Sequence, residues 1–226
     1  MSALSQTQIA KREKTLIIAL LLSMMAPLAT GIAVILSNST TQLADFIRRT
    51  VELIALFISW RVFRYVEKGR EVTVEEKNRL EMIAGLSVAA ALGVSGIVML
   101  TITVTRFDTF DPGGNVYPGL IIAVLGLITN SWFFLRYKKM TAEHYNPVID
   151  SQRLMYRAKT CVDFCVIIAL SFVAVAPAAV FTQYLDSLGS IAVAVYLLWS
   201  AITTLKTALK NARTPEASTD DRESLE

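Results

Sequence analysis

The chain has 226 residues, of which 54% are hydrophobic and only 18% charged, and its mean hydropathy is +0.49. That balance excludes a soluble domain of ordinary composition. The net charge of +3 is no nucleic-acid signal, because the basic residues gather at the ends of apolar runs. No nucleic-acid partner is expected; the lipid bilayer is. A helix crossing the hydrocarbon core needs about 20 apolar residues. The sequence offers six such runs, so the fold class expected is an all-α integral membrane protein with six transmembrane helices.

A polar, basic lead covers 1–14. Lys11, Arg12 and Lys14 resemble the start of a signal peptide, but the apolar run that follows is too long for one. It is therefore expected to stay as the first span, at about 15–36, with Pro27 and Gly31 inside it. A polar turn precedes span 2 at about 41–65, and a loop of mixed charge precedes span 3 at about 80–104. The cluster Asp108–Asn115 reads as a turn, with Asp-Pro and Gly-Gly. Span 4 follows at about 117–137. A polar segment with the sole histidine, His144, leads into span 5 at about 151–177. Thr182–Asp186 reads as a short turn and span 6 as about 188–209. Residues 210–226 are polar and aperiodic, and are expected to be a disordered tail.

All but three of the 22 basic residues fall in the lead, the second and fourth connections with their flanking helix ends, and the C-terminal end. The exceptions are Arg48, Arg49 and Arg106. This bias predicts both termini on the cytoplasmic side, in what is expected to be the plasma (inner) membrane.

Spans 2 and 5 carry charge at depth. A charge at the bilayer centre costs about 2.5–3.5 kcal/mol on insertion scales, so it marks a site or a structural lock. At 1.5 Å rise per residue, Arg48 and Glu52 lie roughly 10 and 16 Å below the outer end of span 2. Lys159 and Asp163 lie roughly 12 and 18 Å above the inner end of span 5. If the two spans touch, Arg48 comes level with Asp163 and Glu52 with Lys159. Each pair is spaced i, i+4 and shares one helix face; Asp45 and Arg49 form a third such pair. Two readings stay open. The charges line a transport site, or they form a salt-bridge lock that sets helix register.

Other features weigh less. Cys161 and Cys165 point away from the charged face by helical periodicity and read as packing residues; no disulfide framework is implied. Gly85, Ala89 and Gly93 form a small-residue ridge for close helix contact, at a dimer seam or within the bundle. No Ser-His-Asp set, Gly-rich phosphate loop or metal-spaced His pair is present, so neither enzyme activity nor a cofactor is expected.

Five stretches, taken in order, resemble the transmembrane part of the cation diffusion facilitator (cation efflux) family. They are Ser39 to Glu52, Arg79-Leu-Glu81, Gly126 to Asn130 with the following Phe133–Tyr137 run, Lys159 to Asp163, and Leu185-Asp186-Ser-Leu188. The resemblance covers about Thr15 to Asn211. It implies a six-helix efflux transporter of divalent metals that works as a homodimer, with four metal ligands in the span 2 and span 5 pairs. In this sequence those four positions read Arg48, Glu52, Lys159 and Asp163. Arg cannot ligate a cation, nor can protonated Lys, and zinc usually takes four N, S or O ligands. No tetrahedral metal site is expected; a charge-balanced quartet stands in its place. The transport-site candidates are therefore Glu52, Asp163, Arg48, Lys159 and Asp45, with a divalent cation or a proton as substrate. The other outcome is a non-transporting relative that acts as a partner subunit or scaffold. No counterpart of the family's cytoplasmic metal-binding domain or His-rich loop is expected, and His144 reads as a solvated loop residue.

Overall fold

The computed structural model describes residues 6–37, 40–68, 72–106, 117–175 and 180–213. They form six helices: α1 (Gln6–Ser37), α2 (Thr40–Lys68), α3 (Val74–Arg106), α4 (Tyr117–Glu143), α5 (Pro147–Val175) and α6 (Val180–Arg213). The helices outrun the apolar segments that announce them. Hydropathy marks where lipid ends, whereas a helix continues into water as long as its backbone bonds are kept. α1 thus begins at Gln6, and the Thr182–Asp186 segment, expected as a turn, lies inside α6. The expected turn at Asp108–Asn115 and most of the expected tail lie outside the described residues.

α3, α4 and α6 each contain a stretch long and apolar enough to cross a membrane on composition alone. α2 and α5 are the helices interrupted by charge. On α4, Ile121, Leu125, Ile128, Trp132 and Leu135 are exposed at spacings of four and three. Such a stripe is one continuous helix face. In water it would be a large sticky patch; against lipid tails it is the natural outer surface.

Two local signals position α5 and α3. Asn146 caps α5: its Oδ1 accepts the backbone N–H groups of Val148 and Ile149 at 3.0 and 3.2 Å. Pro147 supplies the first helical residue, where its missing N–H costs nothing. The same Asn146 donates Nδ2 to Glu67 Oε1 at 3.0 Å, so the cap also ties α5 to the end of α2. At α3, Thr73 Oγ1 accepts the Glu76 N–H at 3.3 Å, in the manner of a helix N-cap.

The end of the bundle where α1 begins and α6 finishes is stitched by polar contacts. Arg12, only 3% exposed, donates Nη2 to the carbonyls of Met140 and His144 at 2.7 and 2.8 Å. The Met140 carbonyl also accepts the His144 N–H at 3.2 Å, so Arg12 adds a charged donor to the last turn of α4 and to the bend that follows it. Burial presses the Arg12 guanidinium below its ordinary value, against the pull of Glu67 and Glu143, yet arginine stays charged. Arg136 Nε bonds Thr15 Oγ1 at 2.8 Å, Arg64 pairs with Glu13 at 3.7 Å, and Asn211 Nδ2 donates to the Tyr145 hydroxyl at 2.9 Å.

α3 packs most extensively on α6, and small residues make this possible. A Cβ built on Gly85 would sit 2.6 Å from the Ala208 Cβ, and one on Gly96 would sit 2.9 Å from Leu198. Gly93 faces Ala201. The ridge on α3 is thus filled by α6 of the same chain, the within-bundle alternative of the two.

Candidate functional site

The site lies where α2, α4 and α5 meet. Lys159 Nζ on α5 stands 2.9 Å from Glu52 Oε2 on α2, and their side chains are only 16% and 13% exposed. Seven residues further along α2 and seven back along α5, Gln152 Nε2 donates to Ser59 Oγ at 2.8 Å, fully buried. Two contacts separated by two turns on both helices fix an antiparallel register. The same register brings Arg48 level with Asp163, and both line one cavity. Arg48 is close enough to act electrostatically on both carboxylates. The side chain of Asp45, the fifth candidate, lies outside the described residues, although its backbone belongs to α2.

The cavity has a volume of about 680 Å³, and its charged lining is Arg48, Arg49, Glu52, Lys159 and Asp163, with Asn130 among its polar residues. Its floor is aromatic. Phe133 and Tyr156 line it, with ring centroids 5.0 Å apart, and Tyr137 packs 5.5 Å from Tyr156 and 6.1 Å from Phe133. Tyr137 and Tyr156 are essentially fully buried. The floor lies toward the end where α1 begins and α6 finishes, so the cavity extends toward the opposite end. Lys159 Nζ also sits 5.2 Å above the Tyr156 ring. This cation–π contact stabilises an ammonium held away from bulk water.

Three residues outside the candidate set complete the site. Ser95 on α3 donates its hydroxyl toward Glu52 Oε1 at 3.3 Å and to the Ala91 carbonyl at 2.8 Å. Asn130 on α4 donates Nδ2 to Asp163 Oδ2 at 2.6 Å. Gly126, one turn before Asn130, leaves room for the same carboxylate. A lone amide in the apolar run Gly126–Tyr137 was the signal for Asn130. Ser95 gives no such signal, since serines in membrane helices commonly bond their own backbone, as this one also does.

Most ligand atoms at the site are oxygen: Glu52, Asp163, Asn130, Thr129 and Ser23 line the cavity beside the Met99 thioether, and among the described residues no imidazole or thiol does so. Cys161 and Cys165 are free thiols. Cys161 meets Tyr196 on α6, and Cys165 packs against the apolar core. Among the described residues, no group of three or more His, Cys, Asp or Glu is placed to hold a metal ion. His144 stands at the bend between α4 and α5, where its backbone carbonyl receives Arg12.

No curated protein matches the chain significantly. The family model for the cation efflux transmembrane domain matches residues 16–211, a range that contains the six described helices except the first ten residues of α1 and the last two of α6. The six described helices, three of them apolar enough to span a membrane, fit such a domain. The chain is an integral membrane protein that belongs to the cation efflux family, a family of ion transporters, and it carries that family's transmembrane domain.

Proposed function

We propose that the chain moves a hard cation, Mn²⁺ or Mg²⁺ in class, or a proton, through the cavity, with Lys159 as a resident counter-ion. The observation that carries this reading is the Glu52–Lys159 pair at 2.9 Å within the cavity that Asp163 also lines. A cargo cation enters at Asp163 and competes with the ammonium for Glu52. When Lys159 gives up its proton or swings aside, two carboxylates face the cargo; when it returns, the cargo is expelled. Oxygen donors favour Mg²⁺, Ca²⁺ and Mn²⁺ over zinc, which prefers nitrogen and sulfur. Arg48 and Lys159 hold two of the four positions where the family resemblance places metal ligands, which argues against a tetrahedral zinc site.

The positive-inside bias supports both termini on the cytoplasmic side of the plasma membrane. The cavity then extends toward the outside in this conformation, with the aromatic floor closing the cytoplasmic path. Reconstituted protein should take up Mn²⁺ into proteoliposomes, with proton movement followed by an internal pH dye. Asp163→Asn should abolish this flux. A parent that moves neither Mn²⁺ nor protons would refute the reading.

One observation favours a second reading, in which the cluster locks the bundle and the protein serves as a partner subunit. The Glu52–Lys159 pair is closed, and it is braced by Ser95 and by the Tyr156 ring. This version predicts a stability loss on breaking the pair together with no flux in the parent.

A further inference from the structure

Asp163 is held differently from Glu52. Its carboxylate meets α4 at two residues one turn apart, and residues spaced i, i+4 share a face. Asn130 donates Nδ2 to Oδ2 at 2.6 Å. A carboxylate only accepts hydrogen bonds, so the amide nitrogen must be the group that faces it. At Gly126 a Cβ would lie 3.0 Å from Oδ2, 3.3 Å from Cγ and 3.4 Å from Oδ1. Even a methyl group here is tighter than ordinary contact, so the carboxylate would have to give by a few tenths of an ångström. The constraint falls on one group: of the atoms near Gly126, the three nearest are the carboxyl atoms of Asp163.

We propose that Gly126 and Asn130 form a seat that fixes the Asp163 carboxylate, and that Asn130 is a positioning residue that sets the affinity for the cargo cation. This rests on the reading of the cavity as the cargo path. The notch at Gly126 sets how far the carboxylate approaches α4. The amide occupies Oδ2 and fixes the rotation of the group, leaving Oδ1 as the oxygen for cargo. A ligand oxygen held in place before binding loses less freedom when the cation arrives. The seat is the contribution of α4 to a site built from α2 and α5 with Ser95 of α3.

The experiment is Mn²⁺ uptake by the full chain in proteoliposomes, with the half-saturating concentration and the maximal rate measured separately. Loss of a hydrogen bond to a charged group corresponds to about tenfold or more in affinity. Asn130→Ala should raise half-saturation by that factor while the maximal rate stays within about twofold. Asn130→Ser keeps a shorter donor and should fall between the two. Gly126→Ala should raise half-saturation as well. Because both residues act on one carboxylate, the double variant should be no worse than Asn130→Ala alone, the non-additivity expected of groups in contact.

Mn²⁺ titration of the same variants in detergent, by calorimetry, gives a second reading of affinity if a variant reconstitutes poorly. An unchanged half-saturation in Asn130→Ala would overturn the proposal. So would a loss confined to maximal rate and melting temperature, the mark of a mere clasp between α4 and α5, or effects of the two variants that multiply. A parent that moves protons but no Mn²⁺ overturns the seat alone. A parent that moves neither removes the functional reading itself, and this is visible before any variant is made.

Discussion

Replacing Lys159 by alanine should destabilise the protein by about 3–5 kcal/mol, the usual cost of removing one partner of a buried ion pair. The geometry sets the scale. Unit charges 2.9 Å apart attract by about 6 kcal/mol at an effective dielectric constant of roughly 20. Withdrawing each ion from water costs several kcal/mol, so the intact pair adds little net stability. The variant keeps the desolvation of Glu52 and loses the attraction, while the Ser95 hydroxyl stays at 3.3 Å. Arg48 and Arg49 line the same cavity and offset part of the loss, which places the expectation at the lower end of the range. The assay is equilibrium unfolding in mixed micelles, titrated with SDS and followed by circular dichroism. It is run on the parent, Lys159→Ala, Glu52→Ala and the double variant. The double variant should be clearly less destabilised than the sum of the singles. A coupling energy below about 0.5 kcal/mol, the level of independent sites, would refute the pairing.

Arg12→Ala should cost about 2 kcal/mol, since it strips two carbonyls at the end of α4 of their shared donor, a hydrogen-bonded charge being worth about 1.5–3 kcal/mol; the same SDS titration checks it. Gly85→Ala should destabilise by about 1–3 kcal/mol through overpacking, because its new methyl falls 2.6 Å from the Ala208 Cβ. Adding Ala208→Gly should recover most of that loss, and no recovery would deny the α3–α6 contact. Cys161→Ser and Cys165→Ser should leave Mn²⁺ uptake within about twofold, as substitutions remote from a site usually do. A large loss of uptake would place a thiol at the cargo.

Much of the fold was legible because a bilayer imposes long apolar runs, and the six runs became six helices. Their ends were less legible. Gln6 to Lys14 and Thr182 to Asp186 are polar, and hydropathy cannot separate a polar helical turn from a loop. The Glu52–Lys159 contact could be read from depth alone: charges of opposite sign at matching depth on antiparallel helices find each other when lipid is the alternative. The same reasoning set Arg48 level with Asp163. Depth reasoning on two helices has no view of a third, and so it did not reveal that Asn130, rather than a basic residue, donates to Asp163 at 2.6 Å. The small-residue ridge on α3 announced close packing correctly, but periodicity carries no information on the partner, which is α6.

A charge quartet at the positions where the family resemblance places metal ligands should leave no tight zinc site. Zinc calorimetry on the purified parent and on the Arg48→Asp/Lys159→His double variant tests it most directly. The parent should show no tight zinc site, and the double variant should gain one. Tight zinc binding by the parent that Asp163→Asn removes, or no gain in the double variant, would contradict the account.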